Sequence, residues 1–186
     1  APRLLNTIPS KGGPLFALPR GVVALLALLA AVTFLVEGAM LDWSALLIAG
    51  NGLLPVDQAG LGYAIFAIAM TAGRLTGDAA VKRVGDGWML AVGGIVAVAG
   101  FVLLLASPWV IPALAGFALI GLGAANVVPV YFRRAGTQQS MPPALAITAI
   151  TAMGYAGLLL GPAVIGFASN LVGLTACFWA MALLMC

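Results

Sequence analysis

No histidine occurs in the 186 residues, and the two cysteines, Cys177 and Cys186, both fall in the last apolar stretch. A Ser-His-Asp triad and a Cys-His pair are thereby excluded, and a metal site loses its commonest ligands. Two cysteines in one segment offer no disulfide framework either. No catalytic residue, metal ligand or cofactor motif can be picked out, so the chain does not read as an enzyme. Charge is equally scarce, at 7% of residues against roughly 25% in soluble domains. With 63% hydrophobic residues and a mean hydropathy of +1.18, there is more apolar surface than one soluble core can hide. The excess faces a lipid bilayer.

Charged, Pro, Gly and Asn punctuation divides the chain into six apolar stretches, near residues 21–49, 58–76, 87–106, 110–131, 144–168 and 171–186. Most approach the ~20 residues with which a helix crosses the hydrocarbon core. No period-two alternation persists over successive ten-residue segments, which argues against a β-barrel. Pro112, Pro129 and Pro162 interrupt the fourth and fifth stretches, as membrane bundles tolerate when neighbouring helices satisfy the freed backbone groups. The expected fold is an all-α membrane protein, with residues 21–186 as a six-helix transmembrane domain. Residues 1–20, with four prolines, read as a cytoplasmic linker and not a signal peptide. The 16 residues after Asn170 make about 24 Å of helix, less than a bilayer, so the last span looks truncated and the chain reads as half of a longer protein.

The eight basic residues sort cleanly. Arg3, Lys11 and Arg20 precede the first span, Arg74, Lys82 and Arg83 surround the second connection, and Arg133 and Arg134 mark the fourth. The intervening connections carry none, which places the N-terminus in the cytoplasm. The net charge of +3 is this loop bias and no basic stripe for nucleic acid.

Against that background a carboxylate inside the first stretch stands out. Glu37 lies about 24 Å along a helix counted from Gly21, where an ionised group is expensive and marks a functional site by default. Thr33 and Ser44 share its stripe at 100° per residue, facing a hydrated path or substrate. Low dielectric equips such a carboxylate to carry a coupling proton, to bind a hydroxyl-rich substrate, or both, with a satisfied interhelical hydrogen bond as the alternative. Asp42 diverges by roughly 140° and, with Trp43, reads as an outer-interface pair. Asn126, Thr148, Thr151 and Tyr155 are further candidates for the substrate or proton pathway, with interhelical hydrogen bonding as the alternative for each. Gly157 and Gly161 form a small-residue packing face, and Trp88, Trp109 and Tyr131 read as interfacial anchors.

The connection GRLTGDAAVKRVGDGW, residues 73–88, resembles the cytoplasmic signature loop of the major facilitator superfamily. Gly73, Arg74, Gly77, Asp78, Arg83 and Gly85 carry the match. Asp78 stands five residues after Gly73 where the most quoted version has four, a variant similar to the bacterial fucose-permease-like branch. EGAMLDWS (37–44), GLGAANVVPVYFRRAG (121–136) and MGYAGLLLGPAVIGF (153–167) resemble that branch's seventh, tenth and eleventh spans, in order. The resemblance implies the C-terminal half of a major-facilitator-type bundle, spans seven to twelve, partnered by a missing N-terminal six-helix half. It further implies a secondary active transporter in the bacterial inner membrane, moving a small solute by alternating access, a sugar or similar polar solute in that branch with drug or metabolite efflux as the alternative. Proton coupling follows if Glu37 titrates across the cycle, whereas a uniporter needs no such group. Physically, Gly73 and Gly77 allow close helix approach at the cytoplasmic end, where Asp78 can latch to Arg74, Arg83 or the opposite half. The competing reading is a six-helix channel or a non-transporting scaffold, for which no selectivity filter is evident.

Overall fold

In the computed structural model residues 18–185 are described. Most of the expected linker, residues 1–17, and Cys186 lie outside them. The described chain folds into seven helices: α1 (Val22–Gly50), α2 (Leu61–Val84), α3 (Asp86–Ala106), α4 (Val110–Ala124), α5 (Val127–Thr137), α6 (Pro143–Val172) and α7 (Leu174–Leu184). Helices α4 and α5 form one interrupted span, Val110–Thr137, so five segments are long and apolar enough to cross a membrane, with α7 a shorter apolar helix. The all-helical membrane bundle expected from composition is what forms.

Helix ends follow local chemistry. Gly85, at φ 82°, closes α2 and opens α3, and Gly173, at φ 84°, does the same between α6 and α7. A left-handed backbone there favours glycine, which turns the chain in one residue. Pro143 sits in the first turn of α6, where a missing N–H costs nothing. The two largest departures from the sequence reading are at C-terminal ends. Helix α2 continues to Val84 where the apolar stretch ends at residue 76, and the fourth span runs on to Thr137. In both, the helix carries basic side chains in its last turns, Lys82 and Arg83 in α2 and Arg134 in α5, which suit the negative end of the helix dipole.

Small residues set the packing. A Cβ on Gly100 would meet the Gly116 carbonyl at 2.7 Å, and one on Gly123 would meet the Gly93 carbonyl and Ala97 nitrogen at 2.5 Å. Helices α3 and α4 thus touch backbone to backbone, as small-xxx-small faces allow in lipid. Helix α6 meets α1 the same way, Gly157 against Ala31 and Gly161 against Leu35, on the face their spacing indicated. A core around Val36, Met40, Phe66, Phe117, Phe101 and Phe178 joins α1, α2, α3, α4 and α7. At one end of the bundle Arg133 pairs with Asp86 at 3.0 Å, tying α5 to the start of α3. Both groups are partly exposed, so Arg133→Gln should cost less than about 1 kcal/mol in a denaturant titration.

Candidate functional site

Glu37 is paired. The Arg74 Nη2 donates to its Oε1 at 3.0 Å, joining α1 to α2 in mid-helix. The carboxylate side chain is 17% exposed and the guanidinium 45%. Arg74 stands ten residues before the end of α2, about 15 Å of helix, and not at the solvated helix end where its sequence neighbourhood placed it. A charged group at that depth needs a partner, and each supplies the other's.

A proline supplies the third member. Pro129 has no N–H, so the carbonyl four residues earlier, Ala125, lacks its helical donor. The Arg74 Nε donates to that carbonyl at 3.4 Å. One guanidinium therefore spans the α1 carboxylate and the freed backbone oxygen at the α4/α5 interruption. Interrupted helices at membrane depth are tolerated where protein groups satisfy the backbone in this way. In α6, Pro162 likewise frees the Leu158 carbonyl, which lies where a Cβ on Gly38 would meet it at 3.2 Å.

Asn126, the residue at the interruption, donates through Nδ2 to the Gly73 carbonyl at 3.0 Å. A Cβ on Gly77 would fall inside its side-chain amide, and one on Gly73 would meet Ala125 Cβ at 2.7 Å. Gly73 and Gly77 thus admit the α4/α5 break against α2. The neighbouring Asp78 is exposed, and among the described residues it has no ion pair or hydrogen bond. Arg74 is engaged with Glu37 and Ala125 instead. Arg83 and Gly85 are exposed at the end of α2.

Beside the pair opens a cleft of about 250 Å³, lined by Glu37, Tyr63, Phe66, Thr71, Arg74 and Leu158 among others. Thr71 donates its hydroxyl proton to the Ala67 carbonyl, leaving its lone pairs to accept. A larger cleft of about 390 Å³ lies between α1, α3, α5 and the end of α7, with Thr33 and Tyr131 among its walls. It contains no charged side chain, so the chemistry concentrates in the smaller one.

The remaining sequence-predicted positions separate. Thr33 is buried and donates to the Leu29 carbonyl. Ser44 is fully buried and its hydroxyl has no partner among the described residues, inside the bundle and not on the cleft wall. Of the stripe drawn through Thr33, Glu37 and Ser44, packing against the other helices buries the two ends. Thr148 and Thr151 bond back to the Ala144 and Ile147 carbonyls, and Thr148 is exposed. Tyr155 is exposed, with its ring 5.9 Å from that of Phe34, one turn from Glu37. Trp43 turns inward against Gly166, its indole N–H buried, and Tyr131 is buried as well. Asp42, by contrast, is exposed, as are Trp88 and Trp109 near helix ends. Sequence reasoning missed Tyr63 and Thr71, and it did not connect Arg74 with Glu37.

A multi-pass helical membrane protein with a charge-paired polar cleft is the class that fold and site define. Over 173 residues, 93% of its length, the chain is 46% identical to an uncharacterised MFS-type transporter of Yersinia pestis, of which it covers 45%. It is 33% identical to an uncharacterised transporter of Sinorhizobium fredii over 89% of the chain and 44% of that protein. Membrane protein MosC of Rhizobium meliloti is 35% identical over 79% of the chain and 36% of its own length. The chain thus spans less than half the length of these curated relatives. No protein-family model matches it, and no solved structure does.

Proposed function

We propose that the chain is the C-terminal half of a major-facilitator-type secondary transporter that moves a small polar solute by alternating access. The observation that carries the reading is the Glu37–Arg74 pair, set between two membrane helices and opening on a cleft. Similarity to transporters over 93% and 89% of the chain supports it, and the half-length coverage of those relatives fits a second six-helix half as partner. In this reading the N-terminus lies in the cytoplasm of a bacterial inner membrane. Asp78, exposed beside the Gly77 contact, reaches the opposite half and gates the cytoplasmic side, flanked by Arg83 and Gly85. Asn126 holds the interrupted span in register, while Thr148, Thr151 and Tyr155 line the route.

Glu37 carries the coupling proton. When Arg74 releases it, the carboxylate stands unpaired in low dielectric and is neutralised by protonation. The resemblance to fucose permeases directs attention to hydroxylated solutes of sugar size. Reconstitution of the full-length protein tests the proposal. Saturable uptake should collapse with a protonophore, and Glu37→Gln should abolish proton-driven accumulation while leaving membrane insertion intact. Unchanged coupling in that variant removes Glu37 from the mechanism, and single-channel current steps overturn the transporter reading itself.

A further inference from the structure

We infer that the Glu37–Arg74 cleft binds a small hydroxylated monocarboxylate, whose carboxylate replaces Glu37 on the Arg74 guanidinium while Glu37 takes up a proton. The inference deepens the transport reading above and rests on it.

The first support is the unfinished state of the ion pair. A guanidinium has five N–H donors in a planar fork. Arg74 uses one Nη2 donor on Glu37 and its Nε donor on Ala125, which leaves three without a partner among the described residues. The contact to Glu37 is single-armed, whereas a carboxylate arriving at the open edge can engage two parallel donors, the stronger arrangement. Arg74 is also the more exposed partner, at 45% against 17% for Glu37. The cation is offered to the cleft, and the anion is held behind it.

Charge balance selects the ligand class. The cleft walls hold one cation and one anion. A cationic solute would need the deeper Glu37, and it would strand a guanidinium that the Ala125 carbonyl keeps in place. A dianion would leave a second charge uncompensated. A neutral solute leaves the pair closed and supplies no reason for it to open. A monoanion satisfies Arg74 once and frees one carboxylate, which binds one proton, so the occupied site carries the same net charge as the empty one.

The rest of the wall sets size and decoration. At about 250 Å³ the cleft lies below the ~300–1,000 Å³ of drug-sized pockets. The Tyr63 hydroxyl and the Thr71 lone pairs can read solute hydroxyls, with Phe66, Met70 and Leu158 as the apolar side. The titratable groups facing Glu37 are few. Helix α2 brings Arg74 and Tyr63, α6 contributes the apolar Leu158 with Tyr155 a turn away against Phe34, and the Tyr131 of α5 lies in the other cleft beside Thr33. Proton uptake linked to anion binding therefore falls on Glu37.

The test uses the purified full-length protein in nanodiscs, with D-gluconate, D-galacturonate and L-lactate as acids and D-glucose, D-galactose and glycerol as neutral counterparts. Calorimetry should find at least one acid bound, with affinity rising about tenfold or more from pH 8 to pH 6, and no neutral counterpart bound comparably. Arg74→Gln should lose the acid, and Arg74→Lys, which keeps the charge without the fork, should weaken it about tenfold. Glu37→Gln, which removes the competing carboxylate, should bind the acid more tightly than wild type at pH 8 and without pH dependence. Misfolding cannot produce that gain. Absence of acid binding, acid binding indifferent to both Arg74 variants, or comparable binding of a neutral counterpart overturns the inference. If a neutral sugar is instead taken up in a saturable, protonophore-sensitive manner, the transport reading stands and the anion class falls.

Discussion

Arg74→Leu is expected to abolish solute accumulation and to cost the bundle about 2–4 kcal/mol, while Arg74→Leu combined with Glu37→Leu recovers most of that stability and none of the transport. Removing one partner of a fully buried pair costs about 3–5 kcal/mol, because a charge is left without compensation. The partial exposure of Arg74 lowers the figure here. Replacing both partners removes the uncompensated charge along with the attraction, so well-packed apolar substitutes come out near neutral. The measurement is a double-mutant cycle on unfolding in mixed micelles. Additive single effects would show that the two groups do not sense each other, and the site would lose its central contact. Glu37→Leu alone should be milder, since the arginine it leaves is the more exposed partner and keeps the Ala125 carbonyl.

This cycle also marks how far the sequence could be read. Membrane residence followed from the scarcity of charge, and most helix boundaries from Gly and Pro, because both are local properties. The depth of Arg74 was hidden by its neighbours: with Lys82 and Arg83 just downstream it looked like one of a cluster of loop markers. A helical count would have separated it. Glu37 lies fifteen residues from the start of α1, about 22 Å, and Arg74 ten from the end of α2, about 15 Å. In antiparallel neighbours that difference is within reach of an arginine side chain. What no count reveals is which helices are neighbours, and so Ser44 was assigned to a polar face that packing buries. Trp43 was misjudged for the same reason. Its position in the chain resembles a headgroup anchor, but Gly166 of α6 leaves a slot that accepts the ring.

The two prolines connect the site to the rest of the fold. Pro129 releases a carbonyl that Arg74 receives, and Pro162 releases one that lies against Gly38, one residue from Glu37. Sequence alone marks each proline as a kink. Only the packing assigns each orphan oxygen to a place, one on Arg74 and the other against the residue after Glu37.

That connection is open to test at Gly77. A methyl group there falls within the Asn126 amide, so Gly77→Ala must displace Asn126 from the Gly73 carbonyl. Overpacking of this kind costs about 1–3 kcal/mol, and the lost hydrogen bond adds about 1 kcal/mol. Because Asn126 adjoins Ala125, the displacement also draws the carbonyl away from Arg74, and uptake should fall together with stability. Gly77→Ala with Asn126→Ala removes the clash and should be more stable than Gly77→Ala alone, a compensation read directly from the two melting curves. Gly136→Ala, where a Cβ meets nothing within 4 Å, is the matched control and should be silent. If Gly77→Ala is equally silent, or if the second substitution deepens its defect, α2 does not rest on the interrupted span, and Arg74 would be held at depth by Glu37 alone.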